Sequence, residues 1–96
     1  MAYNIFVKFT GNAPGAGEGF VKEATEAGVV DKIRAEDGCI AYDYYFSAQD
    51  DTMLLLIEQW ESYEHQQVHL TQPHMDELRA IKGKYIIDTK IKDFTL

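Results

Sequence analysis

The sequence predicts an α+β fold, a four-stranded antiparallel sheet with helices on one face. Three observations carry that expectation. Apolar residues recur at strand spacing in four stretches and at helical spacing between them. The order reads strand, helix, strand, strand, helix pair, strand. The two middle strands are separated only by "AQDD", a hairpin-length turn. This is the ferredoxin-like arrangement.

Each element has its own warrant. "YNIFVKFT" is rich in aromatic and β-branched residues and opens the sheet. "GNAPGAGEG" contains four glycines and reads as a turn. Its glycine spacing is not that of a phosphate loop, and no Lys-Ser/Thr pair closes it. From Phe20 the apolar stripe Phe20, Ala24, Ala27, Val30 and Ile33 predicts one helix to about Ala35, stopped by Gly38. In "CIAYDYYFS", Ile40, Tyr42, Tyr44 and Phe46 share one face, and Ala41, Asp43, Tyr45 and Ser47 the other. "TMLLLIEQW" is apolar on both faces from Met53 to Ile57, the pattern of a strand covered on two sides.

Ser62 starts a helix through about Leu70. Thr71 is expected to cap a second, with Pro73 in its first turn, the stripe Met75, Leu78 and Ile81, and Gly83 at its end. "KYIIDTKIKDFTL" closes the sheet. One chain supplies helices for one sheet face only, so the doubly apolar third strand and Tyr45 need a second cover. A homodimer, sheet against sheet, is the expected solution.

At 96 residues a single domain spanning 1–96 is expected. The net charge of −7 argues against nucleic acid and against an anionic membrane surface. "MLLLI" is the longest apolar run, far too short to span a bilayer, and "MAYNIFVKFT" lacks the basic start of a signal peptide. A lone Cys39 forms no internal disulfide and fits the reducing cytoplasm.

The chain's three histidines all lie between Trp60 and His74. Either they are polar groups of an ordinary helical hairpin, or they wall a pocket that needs groups titrating near neutral pH. His69 can point from its helix at the sheet or bond to backbone. His74 lies near a helix start, which favours neutral imidazole. His65, close to Glu61 and Glu64, is expected in solvent. The five-residue spacing of His69 and His74 is not that of a helical metal pair, so no metal site is expected.

Glu58 shares a strand face with Leu54, Leu56 and Trp60. If that face meets the helices, the carboxylate is either a base or substrate anchor, or bonded to a helix N–H. Trp60 and Tyr42 and Tyr44 can pack the core or offer an N–H and hydroxyls to a substrate. Cys39 reads as a small buried filler.

"EDGCIAYDYYFS", "LLLIEQWES" and "HQQVHLTQPHMDEL" together resemble the antibiotic biosynthesis monooxygenase family, over roughly residues 36 to 82. The shared pattern is an acidic-Gly-Cys turn into a strand bearing Tyr, a strand ending Glu-x-Trp, and a helix with His followed by Pro-His. The resemblance implies a dimeric α+β barrel of the quinol-monooxygenase kind. It implies oxidation of a small polyphenol or quinol by dioxygen with no bound cofactor. His69 and Glu58 would be the catalytic residues. Asn4, Tyr42, Tyr44, Trp60 and His74 would surround the substrate.

Asn4 is near the place of a first-strand Asn in some oxygenases of this fold, although Tyr3, Ile5, Val7 and Phe9 form the cleaner apolar face. The haem-degrading branch carries Trp and His where this chain has His69 and Arg79, which weighs against haem. Two other readings stand beside the main one. An enzyme acting on a small phosphorylated dicarbonyl would need a cationic site, for which Arg34, Lys82 and Lys84 are the candidates. A dimer that binds an aromatic ligand without turning it over would need none of this chemistry.

Overall fold

The computed structural model describes residues 2–94. The chain runs β1 (Tyr3–Gly11), α1 (Ala16–Glu26), α2 (Val29–Arg34), β2 (Cys39–Phe46), β3 (Met53–Trp60), α3 (Tyr63–His69), α4 (Pro73–Tyr85) and β4 (Ile86–Phe94). The sheet order is β2-β3-β1-β4, with every neighbouring pair antiparallel. The predicted ferredoxin-like α+β fold is the fold observed. The last two residues of the expected final strand, Thr95 and Leu96, lie outside the described residues.

Register places side chains in rows on the helix-bearing face. Tyr42, Glu58, Ile5 and Asp93 form one row, and Tyr44, Leu56, Val7 and Ile91 the next. Thr89 and Leu54 flank Phe9 in the third. Against the first three strands pack Phe20, Val29, Val30, Ile33, Met75, Leu78 and Ile81 from the helices, all buried. Each such large side chain contributes roughly 1.5–3 kcal/mol through burial. Cover stops short of β4, where Ile91 on the same face stays 67% exposed.

The helices depart from expectation in four places. The first begins at Ala16, not Phe20, so part of the glycine-rich stretch is helical. Gly17 and Gly19 let α1 approach closely: added methyls there would crowd Leu54 and the Tyr85 ring. The single helix expected to Ala35 is two, because Gly28 takes φ 78° and turns the chain between α1 and α2.

The residue capping α4 is Gln72; Thr71 instead donates its hydroxyl to the Val68 carbonyl at 2.7 Å. Nor does Gly83 end α4, which continues to Tyr85. Glu23 of α1 anchors that last turn by accepting from Lys84 Nζ and the Tyr85 hydroxyl, at 2.6 and 2.8 Å. These bonds oppose the roughly 1 kcal/mol helix penalty of glycine.

Ile40 also leaves its expected face. A register shift between Cys39 and Ala41 takes it out of alternation, and it is 54% exposed. The opposite face of the sheet carries Phe6, Leu55 and Ile57, half-buried, with Tyr45 exposed.

Candidate active site between the sheet and helix α4

A cavity of about 150 Å³ lies between the sheet and α4, walled by Val7, Phe9, Leu56, Met75 and Leu78 and reached by Tyr42, Glu58 and His69. Ile91 and Thr89 on one side, and Arg79 and Lys82 of α4 on the other, also line it. A dry apolar cavity of this order holds a single six-membered ring.

His69 is the last residue of α3, and its side chain is 1% exposed. Its ring is stacked near Trp60, with centroids 4.7 Å apart, and meets the edge of Tyr42 at 5.9 Å. Nδ1 lies 2.9 Å from Oε2 of Glu36, and Nε2 lies 4.0 Å from Oε1 of Glu58. An ionised carboxylate only accepts, so the bond to Glu36 assigns the proton to Nδ1. In the neutral ring Nε2 then keeps a lone pair on the Glu58 side. Burial holds the His69 pKa below its ordinary value, against the raising effect of Glu36.

Glu58 accepts from the Trp60 indole N–H at 2.9 Å. Burial pushes its pKa up to about 7; the indole bond opposes the shift and the Glu36 charge adds to it. Burial thus favours the neutral form of both His69 and Glu58, whose nearest nitrogen and oxygen lie 4.0 Å apart.

Glu36 was not singled out from sequence. It sits in the turn after α2, and its Oε2 receives both His69 Nδ1 and His74 Nε2, the latter at 2.7 Å. The adjacency of two helix histidines to a loop acid 33 and 38 residues away had no local signal.

The other expected site residues divide. Tyr42 lines the cavity, its hydroxyl 3.4 Å from that of Tyr44. Burial raises the Tyr42 pKa well above 10 and pushes that of Tyr44 to about 12, so both hydroxyls stay protonated. Tyr44 packs edge-on against Phe20, behind the cavity wall. Trp60 is fully buried and spends its N–H on Glu58, not on a substrate. His74 faces Glu36.

Asn4 requires correction. It pairs with Gln59, and strand alternation puts it on the sheet face opposite Ile5 and Glu58, away from the cavity. It is buried there, and among the described residues its Oδ1 has no hydrogen-bond partner. His65, expected in solvent, is half-buried: Nδ1 meets Ser62 Oγ at 2.6 Å and Nε2 lies 3.5 Å from Asp37. Asp37, Glu61 and His65 bring their ligand atoms within 4.8 Å of one another, at the surface and outside the cavity. Of the cations considered from sequence, Arg34 is held by Asp43 and the Tyr42 carbonyl, and Lys84 by Glu23. Lys82 alone among them reaches the cavity.

A ferredoxin-like layer with a small, largely apolar chamber, a buried imidazole and a buried carboxyl is compatible with small-molecule binding. The chain belongs to the antibiotic biosynthesis monooxygenase family, whose profile matches residues 3–80. It is similar in structure to a Pseudomonas aeruginosa protein at 24% identity and TM-score 0.82, covering 99% of this chain and 93% of the other. A Mycobacterium tuberculosis protein matches at 26% identity and TM-score 0.78, covering 100% and 95%. A solved antibiotic biosynthesis monooxygenase matches at 23% identity and TM-score 0.78, covering 100% and 98%. No curated protein matches the sequence. Among the described residues, no helix is long and apolar enough to cross a membrane.

Proposed function

We propose that the protein is a cofactor-independent monooxygenase acting on a single-ring quinol or polyphenol, with His69 as the general base. The observation that carries this reading is the Glu36–His69 pair. Glu36 accepts from Nδ1, which leaves Nε2 as the acceptor beside Glu58 at the cavity wall. A phenol ionises near pH 10 in water and is a poor reductant at neutral pH. His69 removes its proton and the Glu36 charge stabilises the imidazolium formed.

The electron-rich anion then passes an electron to dioxygen. The radical pair joins through a C–O bond, and proton return gives a ring hydroperoxide. Loss of water breaks the O–O bond. For hydroquinone the balance is one quinol plus one dioxygen giving one hydroxyquinone plus one water. Protonated Glu58 and the Tyr42 hydroxyl are the donors available to the developing oxyanion. The cavity's size suits one ring and not a macrocycle such as haem.

The working unit is a homodimer. Phe6, Leu55, Ile57 and Tyr45 form an apolar sheet face with no cover from their own helices, and a second copy supplies it. A reducing cytoplasm suits the free Cys39.

Oxygen uptake with a hydroquinone panel tests the assignment. Uptake matched by hydroxyquinone formation is expected, with turnover at least about a hundredfold lower in His69→Ala. Unchanged turnover in that variant removes His69 as base. Tight binding of ring compounds with no uptake would instead identify a non-catalytic ligand-binding dimer.

A further inference from the structure

We propose that Lys82 forms an anion subsite, so that the ligand is a small aromatic acid lying with its hydroxyl toward His69 and its carboxylate toward α4. The orientation rests on the ring site proposed above; the anion subsite rests on separate observations.

Lys82 differs from every other lysine in the chain. Lys8, Lys22, Lys32, Lys84, Lys90 and Lys92 are exposed, whereas Lys82 is half-buried. Among the described residues its ammonium has no hydrogen-bond or ion-pair partner, although acids outnumber bases 16 to 9. Its Nζ lies 5.3 Å from the centroid of the Phe9 ring, which offers only the weak attraction of an aromatic face.

The neighbouring Arg79 adds a second positive charge to the lining. Its guanidinium is oriented by Asp76, at 3.1 Å, and by the Leu70 carbonyl, at 2.8 Å. Burial and then the Arg79 charge lower the Lys82 pKa, as expected for an ammonium short of counter-charge. An anion in the cavity mouth would supply the counter-charge that Lys82 lacks.

The lining is also polarised. Among the described residues Glu58 is its only acid and lies in the sheet row of Ile5, while Lys82 stands over Phe9. Those rows are four residues apart on β1, about 13 Å at the strand rise. The acid and the ammonium thus belong to different ends of the chamber, an arrangement that a ring with an acidic group opposite its hydroxyl would match. The reverse orientation would leave the ligand carboxylate far from Lys82 and bury its charge beside the Glu58 carboxyl, against an apolar wall.

Calorimetric titration with 4-hydroxybenzoate and its neutral isostere 4-hydroxybenzamide tests the subsite. The acid is expected to bind wild-type protein at least about tenfold more tightly than the amide. Lys82→Gln should bring that ratio below about twofold, and Lys82→Arg should keep most of it. Equal affinities in wild type, or a preference that survives Lys82→Gln, overturn the subsite. If both compounds bind alike and both are lost in His69→Ala, the ring site stands and the anion subsite falls. If neither binds, both proposals fall. A Lys82-dependent preference for the acid, with no oxygen uptake on a dihydroxybenzoate, keeps the subsite and removes the oxygenase reading.

Discussion

His69 Nδ1 lies 2.9 Å from Oε2 of Glu36, a pairing between the end of one short helix and the turn that follows another. The same Glu36 oxygen receives His74 Nε2. One buried carboxylate thus fixes two rings, and through the first it decides which nitrogen of His69 is free to accept a proton.

Glu36→Gln is expected to impair turnover through that choice. A glutamine amide can donate to Nδ1, which moves the ring proton to Nε2 and removes the acceptor on the cavity side. For the quinol oxidation proposed, kcat should fall about 10²-fold or more with KM little changed. Rapid-mixing kinetics on an active quinol would measure both. A KM effect with kcat intact would make Glu36 a packing residue only.

Stability should fall as pH rises through the titration of Glu58. Its folded-state pKa is about 7, against 4.5 ordinarily, so between those values the native state holds more protons than the unfolded chain. The stabilising contribution is full below 4.5 and lost by about pH 7. The loss is about 3 kcal/mol for a shift of this size. His69, lowered by burial, acts oppositely and destabilises the fold as pH drops through its own range. Urea unfolding from pH 4.5 to 8 should show Glu58→Gln with a flatter or reversed slope relative to wild type. Parallel slopes in the two proteins would mean that Glu58 titrates normally.

Two glycines should differ in tolerance. Gly28 and Gly38 both hold positive φ, 78° and 83°. A methyl on Gly28 meets open space, so Gly28→Ala carries backbone strain alone, about 1 kcal/mol. A methyl on Gly38 would overlap the His65 ring, adding displacement of that ring to the strain. Gly38→Ala should cost about 2–3 kcal/mol in chemical denaturation. An equal cost for both would show that the His65 ring swings aside freely.

The uncovered sheet face predicts the state of assembly. Sedimentation should give a dimer for wild type and a monomer for Leu55→Asp, since Leu55 lies between Lys8 and Tyr45 in register on that face. A monomeric wild type would remove the sheet-to-sheet dimer.

The sheet was legible because its signals are local. Alternation in Tyr3–Gly11 and Met53–Trp60 fixes which residues share a face, and the row Tyr42, Glu58, Ile5 follows from register. The same alternation set Asn4 apart from that row, against its carry-over by resemblance. Helix limits were less legible where glycine serves two purposes. Gly28 breaks a helix through its φ, whereas Gly17 sits inside one because Leu54 comes close, and the residue type does not distinguish these uses.

By itself the sequence determined the four strands, their faces apart from Ile40, the order of the helical segments and the family, since each depends on neighbours a few residues away or on the motif as a whole. Tertiary structure alone decided that Glu36 meets His69 and His74, that the Trp60 N–H turns to Glu58, and that Lys82 overlooks the cavity. The Glu36 and Lys82 placements depend on where α2, α3 and α4 come to rest on the sheet, and the Trp60 bond depends on the rotamers that their packing selects. That placement is set by collective packing, and collective packing leaves no mark in the spacing of any one segment.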